Sequence, residues 1–158
     1  MKRRHFSAMI GIVIMLSLTG CGPDFNTDFD PPPPEGKLED IFPANIGTMP
    51  AKIARAKLKP PMIGFSAAYG DNNIVINSIL LPDKAAADEY FKLAIVPNID
   101  KMKNHFRGKI NGRWRASGTD ENGRKWFGWV NNNWVFLINA SDKKYFKMAI
   151  DAFKYVEE

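Results

Sequence analysis

The sequence has few of the residues that most often carry chemistry. It contains one cysteine and two histidines in 158 residues. A single cysteine cannot close an intramolecular disulfide, so the fold must rest on its hydrophobic core. His5 lies near the N-terminus and His105 lies among lysines, so no histidine is placed beside a nucleophile or a second metal ligand. Adjacent carboxylates diverge along a helix or strand and predict no facing pair of a glycosidase.

Phosphate-binding glycine loops and dinucleotide fingerprints are also lacking. We therefore predict a protein that is not an enzyme and has no catalytic residues, metal or cofactor.

Strong charge of one sign is absent once the N-terminus is set aside. The formal net charge is +5, with 22 basic and 17 acidic residues. Three basic residues lie in the first four positions, which leaves 19 against 17, or about +2. Both signs are interspersed, so we expect no nucleic-acid partner. One basic concentration remains, and it could face anionic lipid headgroups or an anionic glycan, although a solvated helix face and loop is the simpler interpretation. Its members are Lys101, Lys103, Arg107, Lys109, Arg113 and Arg115.

The first twenty residues have the order of a secretory signal. Lys2, Arg3 and Arg4 precede an apolar stretch at residues 8–18, which is too short to span a bilayer as a helix. Leu18-Thr19-Gly20-Cys21 follows, and this run resembles the lipobox of bacterial lipoproteins.

The lipobox resemblance implies a location. It implies that the signal is cut between Gly20 and Cys21, and that palmitate-type acyl chains on Cys21 anchor the protein to a membrane of the cell envelope. Gly22 after the cysteine favours the outer membrane if the host has two membranes. The alternatives are an uncleaved anchor, or an ordinary secretory signal with a chance cysteine. Arg3-Arg4 leaves both the general and the twin-arginine export routes open.

Three segments follow from this organisation. Residues 1–20 are the signal, residues 21–36 are the acylated cysteine and a proline-rich tether, and residues 37–158 are one globular domain. The tether contains four consecutive prolines and little to bury beyond Phe25 and Phe29. Because such prolines favour an extended polyproline helix, we expect a semi-rigid spacer that holds the domain a few tens of ångströms off the bilayer.

The pattern of polar and apolar residues in the globular part predicts an α+β fold. Alternation and turn residues predict strands at 51–58, 62–69, 74–81, 113–118, 125–130 and 134–139. Helical periodicity predicts one helix that begins after Asp83 and a second that begins after Ser141 or Asp142. Pro97 stops or kinks the first helix, and a helical apolar face continues beyond it to Gly108. The order strands-helix-strands-helix predicts an antiparallel sheet of about five or six strands. The simplest arrangement places both helices on one face.

Tryptophans crowd the last three predicted strands. Trp126 and Trp129 point to opposite faces of their strand, so one face would expose a tryptophan unless another segment covers it. An exposed face with Trp126, Trp129 and Trp134 could bind a sugar or a protein partner. The segment with Ile41 and Phe42 could cover it instead, and we favour that core interpretation.

We expect a non-enzymatic binding or accessory subunit of the cell envelope, with an envelope protein as its partner. The alternative is a lipoprotein that binds a small ligand or a glycan through an aromatic sheet face.

Overall fold

The computed structural model describes residues 24–33 and 37–158 and contains two sheets. A small hairpin of β1 (Asn45–Ile46) and β2 (Met49–Pro50) precedes the main sheet. The main sheet has seven strands. They are β3 (Lys52–Arg55), β4 (Ile63–Tyr69), β5 (Ile74–Leu80), β6 (Lys103–Ile110), β7 (Arg113–Thr119), β8 (Lys125–Asn131) and β9 (Trp134–Ala140).

The main sheet is antiparallel throughout, in the order β3-β4-β5-β9-β8-β7-β6. The central pairing of β5 with β9 joins the two halves of the chain and runs from Ile74 opposite Ala140 to Leu80 opposite Trp134. The turn between β4 and β5 uses positive φ angles at Gly70, Asp71 and Asn72, which glycine and asparagine-type residues tolerate. The α+β class and the order of strands and helices are confirmed.

The main sheet has seven strands, whereas the sequence predicts about five or six, and the strand that was not predicted is β6. Residues 103–108 were expected to continue a helix, and that prediction is wrong because they form most of β6. Asn104 has a φ of 49°, a left-handed angle that a helix cannot contain, and the register with β7 shifts between Lys103 and Phe106. Beyond the shift, exposed Arg107 and Lys109 alternate with half-buried neighbours, which is the period of a strand.

Two helical segments pack against the main sheet. The first is continuous and consists of α1 (Lys84–Tyr90), a π-helical turn (Phe91–Ile95) and α2 (Val96–Ile99). Asp83 caps it by accepting a hydrogen bond from the backbone N–H of Ala86 at 2.8 Å. The second is α3 (Lys143–Ala152), which Asp142 caps in the same way. A short 3₁₀-helix lies at Leu38–Ile41. None of the helices in the described part of the chain is long and apolar enough to cross a membrane.

The helical segments lie on opposite faces of the sheet, so the prediction of one shared face is wrong. We call these the α1 face and the α3 face. On the α3 face, Phe127, Trp129 and Phe136 belong to one core cluster with residues of α3. On the α1 face, Val130 and Val135 belong to a second cluster with Phe91 of the π-helical turn. The physical reason is that β8 and β9 are apolar on both sides, so each side needs a cover.

Candidate functional site

Residues 24–33, which we call the N-terminal strap, lie on the α3 face. The ring of Phe25 contacts that of Phe127 at 5.0 Å between centroids. The backbones of Asn26 and Glu157 exchange two hydrogen bonds, of 2.9 and 3.0 Å. The indole N–H of Trp134 donates to the carbonyl of Pro32 at 3.1 Å. The prediction of a semi-rigid spacer that holds the domain away from the bilayer is therefore wrong for residues 24–33, because this stretch contacts the domain along most of its length.

Side chains of the sheet hold the backbone of the strap. Arg115 donates to the carbonyl of Phe25 at 2.6 Å, and Arg113 donates to that of Thr27 at 3.0 Å. Asn131 donates to the carbonyl of Phe29 at 2.7 Å. Arg113 also pairs with the carboxylate of Asp28 at 2.8 Å.

The guanidinium of Arg115 is buried beneath the strap. Burial lowers the pKa of Arg115, and this effect outweighs the attraction of the nearby carboxylate of Asp24. Two of the six predicted basic residues thus serve to fix the strap rather than to face solvent.

The three predicted site tryptophans do not form one surface. Trp129 and Trp134 are 0 % and 1 % exposed on the α3 face. Both pack against Phe136, and the rings of Trp134 and Phe136 are parallel at 6.0 Å. Ile41 and Phe42 belong to the same core cluster, and Phe25 and Phe29 of the strap pack against it. These two tryptophans therefore belong to the core and are not available to a ligand.

Trp126 lies on the other side of the sheet and lines a groove. This groove, which we call the Trp126 groove, has a volume of about 490 Å³ and opens to solvent at the end of α2. Its apolar wall includes Ile95, Met102 and Leu137 beside the indole ring. Asn98, Lys101, Asp120 and Glu121 supply its polar rim. This combination of an apolar wall and a few polar groups is typical of a small-ligand site.

Gly118 on β7 lets the chain close around the groove. A Cβ atom at this position would lie 2.9 Å from the Cβ of Met102, a distance that real contacts almost never show. The glycine therefore allows Met102, which follows α2, to pack directly on β7.

Asp120 orients the indole ring of Trp126. Its carboxylate accepts a hydrogen bond from the indole N–H of Trp126 at 2.9 Å, and two from the backbone N–H groups of Asn122 and Arg124 at 2.9 and 3.0 Å. Burial by itself would raise the pKa of Asp120, but these three hydrogen bonds outweigh burial and hold that pKa below its ordinary value. No local sequence pattern points to the hydrogen bond between Asp120 and Trp126, because the two residues lie on either side of the loop between β7 and β8.

The other predicted basic residues lie along the β6 edge of the sheet. Lys101, Lys103, Arg107 and Lys109 are exposed there. Arg107 pairs with Asp100, and Lys109 lies 3.5 Å from Asp88 and 5.3 Å from the centroid of the Trp114 ring. Gly20 and Cys21, the predicted cleavage and lipid-attachment residues, lie outside the described residues.

Within residues 24–33 and 37–158, no group of three or more histidine, cysteine or acidic residues could hold a metal ion.

Comparisons with known proteins give one distant structural likeness. No family model matches the chain, and no protein of curated function matches its sequence. The fold is similar to the crystal structure of a GTP binding regulator from Thermotoga maritima, with a TM-score of 0.47 and 11 % sequence identity. The likeness covers 70 % of this chain and 81 % of that one.

Proposed function

We propose that the protein is a lipoprotein of the cell envelope, anchored through acyl chains on Cys21, whose domain acts as a non-enzymatic binding or accessory subunit. The observation that carries this proposal is the position of the strap. Cys21 ends a lipobox-like run and stands three residues before Asp24, where the strap on the domain begins. Acyl chains at Cys21 would therefore hold the folded domain itself at the membrane. Two chains suffice for stable anchoring, since each buried methylene contributes about 0.8 kcal/mol.

The anchor is tested by metabolic labelling with an alkyne analogue of palmitate in a bacterial host. We expect label on the parent protein, in the membrane fraction, and none on Cys21→Ala, which lacks the acceptor thiol. Ser7→Ala, which alters the signal but leaves the lipobox intact, is the matched control and should retain the label. An unlabelled parent protein, or label that survives Cys21→Ala, would contradict the proposal.

A second candidate function is the binding of a small ligand or a glycan, and the Trp126 groove favours it. An indole ring held in one orientation by Asp120 offers a flat apolar surface, and carboxylate and amide groups lie around it. Of the three predicted site tryptophans, Trp126 is the one that this second function would use.

Titration calorimetry with chitotriose and cellotriose as glycan probes tests this second function. Binding should be lost in Trp126→Ala and largely kept in Trp126→Phe, with both variants folded by circular dichroism. Absence of saturable binding, or binding that is equal in the alanine variant, would reject the groove as a glycan site.

A further inference from the structure

The first described residues of the strap lie over β7 and β8, and β7 is the strand next to the β6 edge of the main sheet. The first hydrogen bonds of the strap to the sheet are made with Arg115 and Arg113, and both belong to β7. The outer neighbour of β7 is β6, in which Gly108 lies opposite Arg115. Neighbouring strands lie about 4.8 Å apart, so the start of the strap is one strand away from this edge.

The chain length between the anchor and the strap is short. Cys21 precedes Asp24 by three residues, which span at most about 11 Å when fully extended. If acyl chains on Cys21 enter the bilayer, the start of the strap must lie close to the headgroups. A domain held a few tens of ångströms away would require the whole stretch to residue 36 to be free of the domain, and residues 24–33 are docked.

The β6 edge carries positive charge on the side of the α1 face, where Lys109 lies over the ring of Trp114. Its cluster contains five cationic side chains, namely Lys84, Lys101, Lys103, Arg107 and Lys109, and the acidic partners in it are Asp88 and Asp100. Lys101 and Lys103 form no salt bridge with any residue that the structure describes. The side chains of Arg107 and Lys109 remain 53 % and 47 % exposed although they are paired.

The carboxylates of the strap lie near the arginines of β7. Asp28 pairs with Arg113, and Asp24 lies near the buried guanidinium of Arg115. With Asp30, the strap has three carboxylates against the two arginines of β7, which leaves about one negative charge there. The edge cluster keeps a surplus of about three positive charges.

We propose that the β6 edge rests on the anionic phospholipid headgroups of the membrane in which Cys21 is anchored. This inference rests on the proposed acylation of Cys21. The anchor supplies the attachment, and the attraction of Lys101, Lys103, Arg107 and Lys109 to lipid phosphates sets which side of the domain faces the bilayer. The fold thereby has a fixed orientation at the membrane, with the β3 edge directed away from it.

The opposite edge of the same sheet provides an internal control. β3 and the residues after it also carry exposed lysines, including Lys52, Lys57 and Lys59. Six strand spacings, or about 29 Å, separate β3 from β6. This distance exceeds the Debye length of about 8 Å at physiological ionic strength, so the β3 lysines should not sense the headgroups.

The test is lysine footprinting of the full-length acylated protein with an amine-reactive reagent, read by mass spectrometry. The protein is placed in detergent micelles, in phosphatidylcholine vesicles, and in phosphatidylcholine vesicles that contain phosphatidylglycerol. We expect labelling of Lys101, Lys103 and Lys109 to slow several-fold in the phosphatidylglycerol vesicles relative to micelles. Labelling of Lys57 and Lys59 should not change, and the protection should weaken in neutral vesicles or at high salt.

Charge variants separate attraction from mere proximity. Lys101→Gln combined with Lys103→Gln should reduce the phosphatidylglycerol-dependent protection of Lys109, whereas Lys57→Gln combined with Lys59→Gln should leave it intact. Protection that is equal at both edges, that shifts to Lys143 and Lys144 on α3, or that does not depend on phosphatidylglycerol would overturn the proposal. Failure of the anchor itself gives a different result, since the Cys21 peptide would then lack acyl mass and the protein would not sediment with vesicles.

Discussion

The two faces of the sheet carry similar apolar residues and are covered in different ways. The α3 face is covered by α3, by the segment with Ile41 and Phe42, and by the strap. Its aromatic rings pack against one another, and burial raises the pKa of the Tyr69 phenol to about 12. The α1 face is covered by one helical segment, which leaves the Trp126 groove at its end and shallower grooves of about 440 and 410 Å³ along its flanks.

This difference shows that the segments covering the sheet, rather than the sheet itself, decide which aromatic side chains stay accessible. Three chain segments close the α3 face, so its tryptophans act in stability. A single helix cannot cover the whole width of a seven-stranded sheet, so Trp126 on the α1 face stays partly accessible.

The largest effect is expected for the tryptophan at the centre of the α3 face. Trp129→Ala should lower the free energy of unfolding by about 3–5 kcal/mol, because it leaves a cavity among fully packed rings. The same substitution at half-buried Trp126 should cost about half as much or less. Urea denaturation of both variants, followed by circular dichroism, measures the difference. Equal losses at the two positions would contradict the distinction between a packed face and an open one.

An intermediate effect is expected where the strap is held. Arg115→Met keeps much of the side-chain volume and removes the hydrogen bond to the carbonyl of Phe25. We expect a loss of about 1–3 kcal/mol in the free energy of unfolding and faster proteolysis within residues 24–33. Arg55→Met on exposed β3 is the matched control and should change neither quantity. A strap that stays equally resistant to protease in Arg115→Met would show that this bond does not hold it.

The smallest effect is expected at Asp120, and it should depend on pH. The folded state holds the pKa of Asp120 below its ordinary value. The charged carboxylate therefore stabilises the fold fully at pH values above the ordinary pKa of an aspartate. The stabilisation is lost as pH falls through the folded pKa. Asp120→Asn should therefore cost about 0.5–1.5 kcal/mol at neutral pH and progressively less in acid. Thermal unfolding from neutral pH down to pH 3 measures this, with exposed Glu121→Gln as the control. A loss that is constant with pH would mean that the charge plays no part.

The sequence predicted those elements whose signals are local. The β4–β5 hairpin and the β7-β8-β9 meander alternate regularly and are joined by glycine, asparagine and aspartate turns, so their strands were found within one or two residues. β6 was missed because Met102 and Phe106 are spaced like helix neighbours. The left-handed backbone angle at Asn104, which no helix can contain, cannot be read from the residue type alone.

The strap and the groove were missed for a different reason. Prolines and aspartates between residues 24 and 33 have the composition of a linker, but the strap is held largely through its backbone carbonyls, which composition does not reveal. The walls of the Trp126 groove come from segments as distant as Ile95 and Leu137. The apolar residues on both sides of β8 did indicate two covered faces, and that pattern could have corrected the placement of the helices.

The central claim is that the strap is part of the folded domain, and amide hydrogen exchange tests it most directly. The N–H groups of Asn26 and Glu157 donate to each other's carbonyls in the structure. In the full-length protein we predict that both exchange orders of magnitude more slowly than an unstructured peptide, and more slowly than the N–H of Glu121 in the exposed loop after β7. Exchange of Asn26 at the unprotected rate, with Glu157 equally fast, would contradict the account and return residues 24–33 to a free tether.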